Sequence, residues 1–98
     1  MELQELKLIA EELEREFGVK YTEIEELDRN EDHLGECDTE GVIRIRLRQW
    51  GRNRPLSRST VVRVLCHELA HLLEFNHQKS FKFVERLMKK WAKEKGFY

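Results

Sequence analysis

The apolar residues of this chain fall into two rhythms. In "ELQELKLIAEELEREFG", Leu3, Leu6, Ile9, Ala10, Leu13 and Phe17 recur every three or four positions, the period of one helical face. Gly18 follows where such a helix would end. "VKYTEIEEL" alternates only in part and is expected as a strand, and Asp28 to Asp32 as a polar loop. "GECDTEGVIRIRL" has the character of a hairpin: a strand at Gly35–Cys37, a turn at Asp38–Gly41 and a strand at Val42–Leu47. In the second strand Ile43, Ile45 and Leu47 alternate with Arg44, Arg46 and Arg48. One face is then for a core and the other for solvent or an anion.

The helical period returns after the loop "RQWGRNRP", which Pro55 closes. Ser57 is placed as an N-cap and Leu56 as a staple for a helix reaching about Glu74 or Phe75. A last helix is expected from near Ser80, with Phe81, Val84, Leu87, Met88 and Trp91 as its stripe. Gly96 ends it and leaves Phe97 and Tyr98 as a short tail. The order is that of one α+β domain over residues 1–98: an N-terminal helix, a small antiparallel sheet and two further helices.

Composition narrows the class. No apolar run approaches a membrane span, and the opening does not read as a signal peptide, so a soluble cytoplasmic protein is expected. Two cysteines, Cys37 and Cys66, are too few for a disulfide framework; Cys66 sits in an apolar run and reads as a buried free thiol. Charged residues make up 38% of the chain, against three Asn and three Gln, a bias seen in proteins of hot environments. Residues 1–40 carry fifteen acids and four bases, whereas residues 41–98 carry four acids and fourteen bases. The simplest consequence is attraction between two parts of one fold.

The candidate chemistry lies in "VLCHELAHLLEFNHQKSF", which holds three of the four histidines. His67-Glu68-Leu69-Ala70-His71 is an HExxH pattern on a predicted helix. Its two imidazoles project from one face and can share a zinc ion, with Glu68 beside them as a general base. At roughly 100° per residue, Val61, Val62, Leu65, Cys66, Leu69, Leu72 and Leu73 form a continuous apolar arc, and His67 and His71 point away from its centre. Catalytic zinc takes three protein ligands and keeps one position open. The third is His77 or Glu85. Spacing favours His77, which follows His71 after five residues that include Asn76, a residue suited to a turn. With His77 as ligand, Glu85 is expected to be an ordinary solvent-facing helix residue. His33 reads as isolated surface.

"HELAHLLEFNHQKSF" resembles the minimal HExxH zincins called minigluzincins. "LGECDTEGVIRIRL" is similar to the hairpin that precedes the metal helix in YgjP-like proteins. Together the resemblance covers about Leu34 to Trp91. It implies a minimal zincin-like fold and a zinc metalloendopeptidase acting on peptides or proteins, with one zinc held by His67, His71 and His77 and with Glu68 as the base. It also implies latency through the C-terminal segment, with Phe97 and Tyr98 in the cleft; a tail packed on its own core is the equal alternative. The Val42–Leu47 strand is the expected sheet edge for an extended substrate. Tyr21 and Tyr98 are candidates for stabilising an oxyanion.

Two other readings compete. Seven arginines between Arg44 and Arg63, with Trp50 among them, could serve a nucleotide- or nucleic-acid-associated hydrolase. A purely structural metal would need a fourth protein ligand, for which Cys37, Cys66 and His33 are the candidates.

Overall fold

The computed structural model describes residues 1–73 and 78–98, without the side chains at 78 and 79. The elements are α1 (Leu3–Phe17), β1 (Glu23–Leu27), β2 (Gly35–Cys37), β3 (Val42–Arg46), α2 (Arg58–Leu73) and α3 (Gln78–Glu94). The α+β architecture read from the sequence is the one observed. Among the described residues no helix is long and apolar enough to cross a membrane.

Each helix follows from its pattern. In α1, Leu6, Ile9, Ala10 and Leu13 are buried, and the helix stops at Gly18, whose φ of 70° few other residues adopt. Ser57 caps α2 as expected: its Oγ accepts the Thr60 N–H at 3.2 Å, which satisfies one of the unpaired donors of the first turn. In α3 the buried line is Met88 and Ala92, with Phe81, Val84 and Trp91 packed beside it. Leu87, expected in that stripe, is 42% exposed, because it lies roughly 100° around the helix from Met88. Leu73, placed in the apolar arc of α2, is likewise exposed, at the helix end.

The sheet departs from expectation in one respect. It is mixed rather than wholly antiparallel, in the order β1-β3-β2, with β1 parallel and β2 antiparallel to β3. Residues 28–41, β2 included, form the crossover that a parallel pair requires. It follows that Val42–Arg46 is the central strand, not an edge. Its Ile43 and Ile45 are fully buried, whereas β1 buries only Ile24 and Leu27 and leaves its glutamates at the rim. The open edge beside α2 belongs to β2.

The arginine face of β3 is also not uniformly for solvent or an anion. Arg46 is buried, donating from Nε to the Arg48 carbonyl (2.9 Å) and from Nη1 to the carbonyls of Glu31 (2.7 Å) and His33 (3.2 Å). The polar loop folds over the end of β3, and the guanidinium satisfies its carbonyls. Arg44 meets Glu25 at 3.2 Å, Glu36 at 3.1 Å and Asp38 at 3.6 Å. Such half-exposed pairs are each worth about 0–1 kcal/mol, against about 1.5–3 kcal/mol for each buried Leu or Ile. The arginine therefore sets register across the three strands, and the apolar core supplies the stability.

The tail packs on its own core. The Phe97 N–H bonds to the Ala92 carbonyl at 2.9 Å, and its ring meets Trp91 at 5.8 Å. Tyr98 Oη donates to the Lys89 carbonyl at 3.0 Å, and Arg58 Nε donates to the Phe97 carbonyl. Cys66 is fully buried as expected, and burial pushes its thiol up to about 12.

One glycine decides how closely sheet and helix approach. A Cβ on Gly35 would lie 2.7 Å from Val64 Cγ1 and 3.2 Å from Glu68 Oε2. Val64 is β-branched and has little rotameric freedom on a helix. Gly35→Ala is expected to lower stability by about 1–3 kcal/mol in denaturant titration, and Val64→Ala added to it should recover part of that loss.

Candidate metal centre

The candidate residues come from three elements that converge on one side of α2. His67, Glu68 and His71 occupy the helical face that continues through Thr60, Arg63 and Val64. Gly35 of β2 crosses that face at Val64 and Glu68. Phe81 and Glu85 of α3 approach from the other side.

The two histidines are aimed at each other. His67 Nε2 and His71 Nε2 are 3.2 Å apart, and the rings are nearly perpendicular at 88°. Zinc–imidazole bonds of about 2.0–2.1 Å at a tetrahedral angle separate two ligand nitrogens by roughly 3.3 Å. The pair as it stands therefore fits two corners of a zinc tetrahedron. Burial, reinforced by His67, holds the His71 imidazole below its ordinary range and so in the neutral form that ligates metals.

What orients the pair lies on α3. Glu85 Oε2 accepts from His67 Nδ1 at 2.7 Å and from Lys89 Nζ at 3.0 Å. A proton on Nδ1 leaves the Nε2 lone pair directed toward His71, the arrangement in which a carboxylate orients a metal-binding imidazole. Burial raises the Glu85 pKa, but the bonds from Lys89 and His67 outweigh it and leave the carboxyl below its usual range. The expectation that Glu85 faces solvent is thus corrected: its side chain is only 16% exposed. Glu85 meets Nδ1, the ring nitrogen opposite the one that faces His71. Phe81, read from the sequence only as an apolar stripe residue, stacks on His71 at 4.3 Å and meets His67 edge-on at 5.2 Å.

Glu68 is 6% exposed. Burial lifts its carboxyl above the usual range; His67 opposes the shift, and Glu36 adds to it. His33 is at the surface as expected but is not isolated. Its Nε2 lies 2.7 Å from Glu36 Oε1 on β2 and its Nδ1 3.4 Å from Asp32, and its charge is felt at Glu68. The spacing of three from Glu36 was the available sign, although nothing in the sequence says that the loop turns back to use it.

His77 lies outside the described residues. Among the described residues no group of three or more His, Cys, Asp or Glu side chains is gathered to hold a metal. Cys66 lies in the core and the Cys37 thiol donates to the Asp38 carbonyl at 3.6 Å, so no set of four that would close the site is present among them. The arginine-rich segment is partly consumed by the fold: Arg44 and Arg46 as described, and Arg58 through Glu5 at 2.6 Å.

The fold as a whole is matched by known proteins. The chain belongs to the YgjP-like family, whose metallopeptidase-domain model matches residues 2–96. Among solved structures it is similar to Wss1 from Saccharomyces cerevisiae, at 25% identity and a TM-score of 0.77, over 96% of this chain and 80% of that chain. A mutant of Wss1 is similar to the same degree, at 26% identity and a TM-score of 0.77, covering 98% of this chain and 83% of that one. No curated protein matches significantly. Membership in a metallopeptidase family supports a metal-dependent peptidase, with zinc the usual metal.

The orienting role of Glu85 is open to direct test. Glu85→Ala should fold normally yet bind zinc about 10–100-fold more weakly in competition with a chromogenic chelator. Unchanged affinity would mean that Glu85 does not orient the ligand.

Proposed function

We propose that this chain is a zinc metalloendopeptidase in which His67, His71 and His77 hold one zinc ion and Glu68 is the general base. The observation that carries the reading is the 3.2 Å approach of the His67 and His71 Nε2 atoms beside a buried Glu68. The place of His77 in the set rests on its spacing and on the resemblance of "NHQKSF". Zinc bound there supplies a Lewis acid that makes water nucleophilic near neutral pH.

The chain's own residues do the rest. Glu68 takes the proton of the attacking water and passes it to the leaving amine. Substrate alignment falls to β2. In its ladder Arg46 N–H bonds to the Leu34 carbonyl and Asp38 N–H to the Val42 carbonyl. By antiparallel alternation the peptide groups of Glu36 face β3, and those of Gly35 and Cys37 face the open edge. An extended peptide added there runs beside Glu68, toward which the missing Cβ of Gly35 would point. The tail, bonded to Lys89 and Arg58, serves as a structural clasp of α2 to α3.

Glu68→Gln should keep its zinc and lose about 10²–10⁴-fold in peptide hydrolysis, whereas His77→Ala should lose zinc as well. Zinc-loaded protein should cleave casein and leave nucleoside triphosphates intact. The opposite pattern would favour the arginine-rich reading, for which Arg52, Arg54 and Arg63 are still exposed. A Glu68→Gln protein with normal peptidase activity would refute the assignment of the base.

A further inference from the structure

A pocket of about 210 Å³ opens one helical turn before the histidines, lined by Leu34, Thr60, Arg63, Val64 and Lys89. It adjoins the proposed site on both sides. Leu34 leads directly into Gly35, where an added Cβ would run into Val64 and Glu68. Across the opening, Lys89 Nζ is 3.0 Å from Glu85 Oε2, which is 2.7 Å from His67 Nδ1. Pockets for whole small molecules run to about 300–1,000 Å³, so this one is of the size that takes a single side chain.

The lining has a definite chemistry. Arg63 and Lys89 are cationic, Thr60 offers a hydroxyl, Leu34 and Val64 are apolar, and no acid lines the walls. Lys89 is partly neutralised by Glu85. Arg63 is exposed and, among the described residues, belongs to no ion pair. A short aliphatic stem ending in a carboxylate matches these walls: methylenes against Leu34 and Val64, and oxygens toward the guanidinium.

We infer that this pocket selects a carboxylate-bearing residue of the peptide substrate, with Arg63 as the specificity-determining side chain. The inference rests on the peptidase reading given above. Glu or Asp within a peptide and the free carboxyl at a peptide's end share this chemistry, and the choice of peptides separates them.

The test measures binding apart from turnover. Fluorescent peptides, acetylated and amidated, carrying Glu, Gln or Lys at one varied position, are titrated by anisotropy onto zinc-loaded protein bearing Glu68→Gln. The Glu peptide should bind about tenfold more tightly than the Gln peptide. Arg63→Ala should erase the difference and Arg63→Glu should invert it toward Lys, with zinc content and melting temperature confirming that each variant is folded. If peptides without acidic side chains bind more tightly with a free C-terminus than as amides, and this too requires Arg63, the carboxylate is that of the chain end. Equal binding of Glu, Gln and Lys peptides, with no effect of a free terminus, overturns the inference. Glu-selective binding by a wild-type protein that cleaves no peptide would leave the pocket assignment standing and remove the peptidase reading instead.

Discussion

The candidate centre depends on a carboxylate behind a ring. Glu85 on α3 accepts from His67 Nδ1 at 2.7 Å, and that bond determines which nitrogen of the imidazole points forward. A free imidazole divides its proton between two nitrogens and its ring among several rotamers. The α2–α3 packing removes both freedoms. Buried Met88 and Ala92 seat α3 on the core, and about one and two turns earlier the same helix presents Glu85 and Phe81 to the histidines. The bridge from Lys89 to Glu85 keeps the acceptor ionised, as an orienting carboxylate must be.

The opposite wall is built by the absence of a side chain. Gly35 lets β2 lie against α2 closely enough for a strand edge to pass the buried carboxylate of Glu68. Arg44 and Arg46 brace that strand from below, one across the sheet and one into the loop before it. Both arginines invited an anion-binding interpretation as sequence. In the fold their charges are met by carboxylates and carbonyls of the acidic first part of the chain. That is the mutual attraction which the uneven charge distribution suggested.

Legibility in the sequence followed the strength of local signals. The three helices, the Gly18 stop and the Ser57 cap were readable because 3.6-residue periodicity and capping chemistry are local. The HExxH face was readable for the same reason, since residues four apart on a helix must share a side. The parallel pairing of β1 with β3 was not, because strand order depends on which strand is paired along both edges, a contest settled only when all three are present. Arg46 shows the same limit: alternation placed it on the polar face, and only the fold of the 28–34 loop over the strand end buried it. Glu85 was recognised as relevant but given the wrong setting, because spacing along a helix brings a carboxylate near a ring without saying which nitrogen it meets. The pairing of His33 with Glu36 required a loop to turn back, and no pattern encodes that.

In the proposed centre His67 and His71 present Nε2 to one zinc ion while Glu85 keeps the His67 Nδ1 proton. Long-range ¹H–¹⁵N NMR of the imidazoles, recorded before and after one equivalent of zinc, tests it most directly. The Nε2 resonances of His67 and His71 should shift together to metal-bound values while His67 Nδ1 stays protonated. Zinc-induced change at His67 Nδ1, or Nε2 signals unmoved in either ring, would contradict it.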